Sequence, residues 1–247
     1  MDLGIAGRRA AVAAASKGLG LGVAKALAAE GVRVAICGRE PDTIKAAAAG
    51  LGADVVPIVA DVATVEGATA FVRDARESLG GIDILVPNAG GPPAGNFASA
   101  SVEQYLAAFE LNCRSAIAMC YEAVPAMQAQ RWGRVVAITS IAVRQPIGGL
   151  ILSNTARSGL TGFLRTLARE VARDGVTVNS LLPGLHATQR VIDLYGGEGD
   201  PAAGIPAGKL GDPEDFGRIA AFLCSEPAWY VTGTAIQVDG GEYRALL

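Results

Sequence analysis

An apolar run over residues 9–14 leads into Ala14-Ala15-Ser16-Lys17-Gly18-Leu19-Gly20, and a helical pattern begins at about Leu21. Glycines at a strand-to-helix turn let the backbone approach a pyrophosphate, which then sits against the N–H groups of the helix's first turn. The fingerprint of such sites opens on a glycine, and Ala14 stands in that place. Tight packing of helix on strand is the competing account of these glycines. A second apolar run ends in Cys37-Gly38-Arg39. A carboxylate here would accept from a ribose 2′-hydroxyl. Gly38 offers none, whereas Lys17 and Arg39 are cations able to meet a 2′-phosphate. The expected ligand is a dinucleotide, NADP(H) ahead of NAD(H).

Those turns need strands to hold them. Short apolar runs fall at residues 9–14, 32–37, 55–59, 82–87, 134–139, 176–182 and 235–238. Several are apolar throughout, as parallel strands covered on both faces must be. Between them lie helical spacings, such as Val65, Ala68, Phe71, Val72, Ala75 and Leu79, or Leu160, Phe163, Leu164, Leu167 and Val171. Strand–helix alternation of this kind predicts an α/β fold, a doubly wound parallel sheet of seven strands in one domain over residues 1–247. No linker, repeat or low-complexity tract marks a second domain.

Composition narrows the function. Hydrophobic residues make up 51% of the chain and charged ones 18%, which excludes disorder. A net charge of −3 argues against a nucleic-acid partner. Cys37, Cys113, Cys120 and Cys224 show no CxxC spacing, so no metal site and no disulfide framework is expected, and a reduced, cytoplasmic setting is. No apolar run reaches the ~18–20 residues of a membrane span. Arg8-Arg9 and the alanines after them loosely imitate an export signal, but the stretch is short and reads better as the first strand.

Further motifs follow in order: Asp61-Val62, Asn88-Ala89-Gly90, Asn112 in Leu111-Asn112-Cys113, Ser140 in Thr139-Ser140-Ile141, and Pro183-Gly184 with Thr188. Lys209-Leu210-Gly211-Asp212-Pro213-Glu214-Asp215, Val231-Thr232-Gly233 and Asp239-Gly240-Gly241 complete the series. With the glycine turn, these motifs make residues 7–241 resemble a single-domain short-chain dehydrogenase/reductase, nearest the 3-oxoacyl-[acyl-carrier-protein] reductase-like group. The resemblance implies hydride transfer between a nicotinamide and a carbonyl or alcohol. It implies cofactor contacts from Ser16, Lys17, Gly18, Leu19, Gly20, Arg39, Asp61, Val62, Asn88, Ala89, Gly90, Arg157, Pro183, Gly184 and Thr188. Ser140 takes the place of the serine that holds the substrate oxygen, and Asn112 that of the asparagine behind a water relay. A homotetramer or homodimer built on the helices around Asn112 and residues 153–173 is expected from the same resemblance.

The match breaks at the acid. The family's tyrosine belongs at Ser153 and its lysine at Arg157, in a stretch that aligns without a gap. A phenol titrates near pH 10 and an ammonium lowers it further, while an aliphatic hydroxyl is far weaker. Arg157 keeps its charge and can fork onto ribose hydroxyls, but it does not exchange protons near neutrality. Loss of a general acid costs ~10²–10⁴ in rate. Replacement donors are His186, the chain's only histidine, and Tyr195; each has a bland alternative, a packed ring or an apolar anchor. Arg144 either polarises a substrate oxygen or is a solvated turn residue.

Cys113 and Cys120 on one helix face suggest shared burial, and Trp132 and Trp229 suggest packing anchors. Tyr105, Tyr121, Tyr230 and Tyr243 have nothing aiming them at a cofactor. Residues 187–208, rich in glycine, are expected to form a mobile substrate flap. The expectation is an NADP(H)-dependent oxidoreductase of a small carbonyl or alcohol, 3-oxoacyl reductase-like, with an atypical site that includes Ser140, Asn112, Ser153, Arg157 and His186. The alternatives are a catalytically silent NADP(H)- or ligand-binding protein and a non-redox enzyme reusing the pocket.

Overall fold

The computed structural model describes residues 1–195 and 199–246, with Tyr195 as backbone only. Seven strands form one parallel sheet in the order β3-β2-β1-β4-β5-β6-β7. They are β1 (Arg9–Val12), β2 (Arg33–Gly38), β3 (Val55–Val59), β4 (Ile84–Val86), β5 (Gly133–Ile138), β6 (Val176–Pro183) and β7 (Ala235–Val238). Each expected strand is present. β1 stops short of residue 14 because Ala14 takes a φ of +47°, which no strand accommodates.

Helices cover both faces: α1 (Gly18–Ala29), α2 (Pro41–Ala49), α3 (Val65–Leu79), α4 (Val102–Phe109), α5 (Ser115–Ala129), α6 (Ile151–Val171), α7 (Gln189–Tyr195) and α8 (Pro213–Leu223). The α3 pattern read from spacing is the buried one: Ala68, Phe71, Val72, Ala75 and Leu79 face the sheet, and Thr64 caps the first turn by accepting from Gly67 N–H. One core lies beneath α3, α5 and α6, around Phe71, Met119, Met127 and Leu164. The other lies beneath α1, α2 and α8, around Leu27, Ile44 and Phe216. There α1 and α8 touch backbone to backbone; a Cβ at Gly22 would lie 2.1 Å from the Pro213 carbonyl oxygen. Only glycine fits that crossing.

β1 has β2 on one side and β4 on the other, so connections run away from this point in both directions. Open parallel sheets place ligands in the crevice outside the strand ends at such a switch point. The glycine turn after β1 and Asn88-Ala89-Gly90 after β4 both open there.

Within the segment expected as a flap, α7 is a helix packed through Val191, and residues 199–208 are turns and irregular chain. The Tyr195 side chain and residues 196–198 lie outside the described residues, and with them the expectations for Tyr195 and the flap's first glycines.

Candidate functional site

Ala15 N–H donates to the Cys37 carbonyl at 2.9 Å, which ties the glycine turn to the end of β2. From the other side, the Asn88 side-chain amide donates to the carbonyls of Ala13 and Ala14, both at 3.2 Å. Gly20 packs against this junction; a Cβ there would sit 2.7 Å from the Ala14 oxygen and 2.9 Å from Asn88 Nδ2. Lys17 is the N-cap of α1, and its side chain caps nothing. The opening N–H groups of α1 therefore lack a side-chain acceptor, as an anion site requires. Thr188 closes the turn from above, with Cγ2 3.5 Å from a Cβ position at Gly18.

At the far end of the turn, Ser16 fills the space beside Gly38: a Cβ at Gly38 would meet Ser16 Cβ at 3.2 Å. An acid at that position would crowd Ser16. Lys17 and Arg39 are exposed, and neither makes an ion pair among the described residues. Asp61 is exposed and turns the chain after β3 by accepting from Ala63 N–H at 3.0 Å, with Val62 buried beneath it. These residues fit a dinucleotide whose 2′ end meets positive charge.

Between α4 and α5 the helix widens into a π-turn over Glu110–Arg114, which carries Asn112 inward. Asn112 Nδ2 donates to the Gly90 carbonyl at 2.8 Å, and its Oδ1 is buried without a partner among the described residues. Such an orphan acceptor suits a water or a ligand donor. Ser140 follows β5 and accepts from Ala142 N–H at 3.1 Å, leaving its own proton free to donate.

Ser153 and Arg157 sit one turn apart on α6, each 8% exposed. Arg157 Nε donates to Ser153 Oγ at 3.3 Å, and Nη1 to the carbonyls of Ile138 and Thr139 at 3.1 Å. All these acceptors are neutral. Burial pulls the guanidinium down to about 10, and the charge of Arg190 pushes the same way. Arg157 nonetheless stays protonated at neutral pH.

His186, for which the sequence left a proton donor and a packed ring both open, is buried as a packed ring, 3% exposed. It lies edge-on to Phe216 at 5.2 Å, with Nδ1 3.2 Å from the Gly184 carbonyl. Burial keeps it neutral by lowering its pKa, against the opposing influence of Gly184 and Asp212. None of its hydrogen bonds or ring contacts involves Ser140, Ser153 or Arg157. Pro183 ends β6, and Gly184 N–H donates to the Val238 carbonyl at 3.1 Å, which fixes where the Thr188 segment departs.

Arg144 donates to the Ala235 carbonyl at 3.0 Å and stacks 5.9 Å from the Tyr243 ring, so it is tethered toward β7 rather than loose. Trp132 is the expected anchor, gripped by Arg8 at 3.8 Å and Arg134 at 4.4 Å, whereas Trp229 is largely exposed beside Tyr230. The cysteines are buried, and burial pushes the thiols of Cys37, Cys120 and Cys224 up to about 12, which rules them out as nucleophiles. No cluster of metal-ligating side chains exists among the described residues. Sequence reasoning missed Arg190. Its Nη2 donates to the Pro92 carbonyl at 2.9 Å, and its guanidinium lies against Gly91.

A family model described as enoyl-(acyl carrier protein) reductase matches residues 13–242. The chain belongs to the short-chain dehydrogenase/reductase family. Within it, the chain is 33% identical to the 3-oxoacyl-[acyl-carrier-protein] reductase FabG of Escherichia coli (strain K12), over 96% of this chain and 98% of that one. It is 34% identical to dehydrogenase/reductase SDR family member 4 of Oryctolagus cuniculus, over 96% and 94% of the two chains. Among solved structures it resembles L-sorbose reductase from Gluconobacter frateurii complexed with NADPH and L-sorbose, with a TM-score of 0.93, 34% identity and full coverage of both chains. It also resembles YwfH, an NADPH-dependent reductase of bacilysin biosynthesis, with a TM-score of 0.91, 26% identity, and 97% and 99% of the two chains covered. No helix among the described residues is long and apolar enough to cross a membrane.

Proposed function

We propose that this protein is an NADP(H)-dependent oxidoreductase that interconverts a small carbonyl compound and its alcohol, through a site without the family's phenol and ammonium. The observation that carries the reading is Thr188 packed over Gly18 at an α1 N-terminus whose N–H groups have no side-chain cap. A chain that had lost its cofactor would have no reason to keep that turn open. The NADPH named with L-sorbose reductase and YwfH supports the same cofactor here.

NADPH, when bound, supplies the hydride for the carbonyl carbon, and the oxygen takes up one proton to give the alcohol. Ser140 holds that oxygen through its free hydroxyl proton. Arg157 adds positive charge where the oxygen becomes negative, and charge placed in advance is effective in a partly dry site. Ser153 is not the acid, since an aliphatic hydroxyl is far too weak an acid to release its proton to the substrate oxygen near neutrality. Water supplies the proton, with Asn112 Oδ1 as an acceptor that can order it.

A homodimer or homotetramer in the cytoplasm completes the proposal, with α5 and α6 as docking faces where exposed Tyr121 stacks on Phe163 at 6.5 Å. The Ser153–Arg157 contact favours a second reading, a silent cofactor-binding protein. Incubation with NADPH and a panel of small ketones separates the two. The oxidoreductase consumes NADPH in proportion to alcohol formed, and the silent protein binds NADPH without consuming it.

A further inference from the structure

We propose that the cavity between α6 and the outer strand β7 is a binding site for a phosphate group, free or carried on a small molecule, separate from the cleft described above. The cavity measures about 370 Å³, toward the small end of the range for ligand pockets. Arg144, which the reaction leaves unused, lines it together with Arg165 of α6. No aspartate or glutamate lines it, and neither arginine has a carboxylate partner among the described residues. Asn112, Ser140, Ser153 and Arg157 are not part of its wall.

The sheet edge holds the two cations together. Ser180 N–H donates to the Thr234 carbonyl and Gly184 N–H to the Val238 carbonyl, so the Ala235 carbonyl between them turns away from β6 toward the free edge. Arg144 Nη2 donates to that carbonyl at 3.0 Å. Two residues earlier, Arg165 Nη1 donates to the Gly233 carbonyl. A Cβ at Gly233, whose φ is +70°, would lie 2.7 Å from Arg165 Nη1, so glycine is what admits the guanidinium. Covering a bare sheet edge accounts for one donor of each arginine. A guanidinium has several more, and these make no hydrogen bond among the described residues.

The opposite wall supplies a hydroxyl. Ser180 shares with Val178 the face of β6 beneath α6 and lines the cavity at 3% exposure. Its hydroxyl makes no hydrogen bond among the described residues, whereas buried polar groups are as a rule paired. Asn179 fixes the wall between them: Nδ2 donates to the Val231 carbonyl at 2.7 Å, and Oδ1 accepts from Thr234 N–H at 3.2 Å. Two anchored guanidiniums and an unengaged hydroxyl, with no acid among them, call for an anion rich in acceptors. A phosphate carries more acceptor oxygens than a carboxylate and meets more of these donors.

The test titrates inorganic phosphate and glycerol 3-phosphate into the protein by calorimetry, with and without saturating NADPH, and uses succinate as the carboxylate comparison. One phosphate group should bind per chain, more tightly than succinate and equally well in the NADPH-loaded protein. Arg165→Gln and Ser180→Ala should each weaken it about 10-fold or more, as loss of a hydrogen bond to a charged group does. Arg165 is exposed and the Ser180 hydroxyl holds nothing in place, so both variants should fold. Arg218→Gln removes a surface charge outside the cavity and should leave binding unchanged. Glycerol 3-phosphate binding more tightly than phosphate identifies an ester as the ligand, and the reverse order identifies the free ion. The proposal is overturned if phosphate shows no saturable binding, if succinate binds more tightly, or if Arg165→Gln and Ser180→Ala leave binding intact. It is equally overturned if Arg218→Gln weakens binding by the same factor, or if NADPH abolishes it, since the anion then sits in the cofactor cleft. No turnover enters the measurement, so its outcome is independent of the oxidoreductase reading.

Discussion

Arg157 Nε lies 3.3 Å from Ser153 Oγ, so these two side chains, one turn apart, bond to each other within α6. The serine hydroxyl is engaged as an acceptor and offers no phenol-like acidity. Ser153→Ala should therefore change kcat little, while Ser140→Ala should lower it by ~10² through loss of the oxygen's donor. The double change Ser153→Tyr with Arg157→Lys should raise kcat by ~10²–10⁴, the usual worth of a general acid. Steady-state kinetics on the variants check all of this. A high wild-type turnover abolished by Ser153→Ala would show that the serine itself works as the acid.

Cofactor choice follows from Ser16, which would crowd a side chain at Gly38, and from Lys17 and Arg39, which make no ion pair among the described residues. NADPH should bind more tightly than NADH by ~10-fold or more, since a hydrogen bond between charged groups contributes about 1.5–3 kcal/mol. Arg39→Asp should reverse the preference, because a carboxylate accepts from the ribose hydroxyl and repels a phosphate. Fluorescence titration of both cofactors against both proteins reads it directly.

Ala14 holds a left-handed backbone, φ +47°, at the place where the fingerprint has glycine. That conformation costs a non-glycine residue roughly 1–2 kcal/mol. Glycine would relieve it while losing ~0.5–1 kcal/mol of unfolded-state entropy. Ala14→Gly should thus stabilise the protein by up to ~1 kcal/mol in urea unfolding. A net loss would mean that the Ala14 methyl, packed against the core, outweighs the strain.

The neutral, buried His186 has a pH signature. Its folded pKa lies below the unfolded value of ~6.5. As pH falls below that value the unfolded chain gains a proton that the folded ring refuses, so stability declines until the lower folded pKa is reached. His186→Gln should be less stable than wild type by ~1–2 kcal/mol at pH 8, from lost packing on Phe216, with the gap narrowing toward pH 5. The kcat–pH profile should be the same in both, since the imidazole carries no catalytic proton.

Parallel strands buried on both faces write themselves as apolar runs, which is why β1, β2, β4, β5 and β6 were legible, while the less covered outer strands β3 and β7 were legible from their short apolar segments alone. The α3 spacing named all five buried residues of that helix, with Val65 only half-buried. The π-turn at Glu110–Arg114 was not legible, because the choice of i+5 over i+4 hydrogen bonding leaves no mark on side-chain pattern. Asn112 was therefore found by motif alone. For His186 the sequence left two readings open for a related reason: proximity to Thr188 in sequence does not say that its ring turns toward Phe216. Arg190 carried no signal of its own. Its seat on the backbone depends on Gly91 being free of a side chain about a hundred positions earlier, which no local pattern records.

The central claim is hydride transfer in this cleft. The most direct measurement is the transfer of deuterium from NADPH, labelled at the transferable position of its nicotinamide, to a carbonyl compound under single-turnover conditions. The account predicts one deuterium on the alcohol carbon of the product, from wild type and from His186→Gln alike. NADPH that binds tightly, yields no labelled alcohol with any ketone in the panel and stays unconsumed would contradict it.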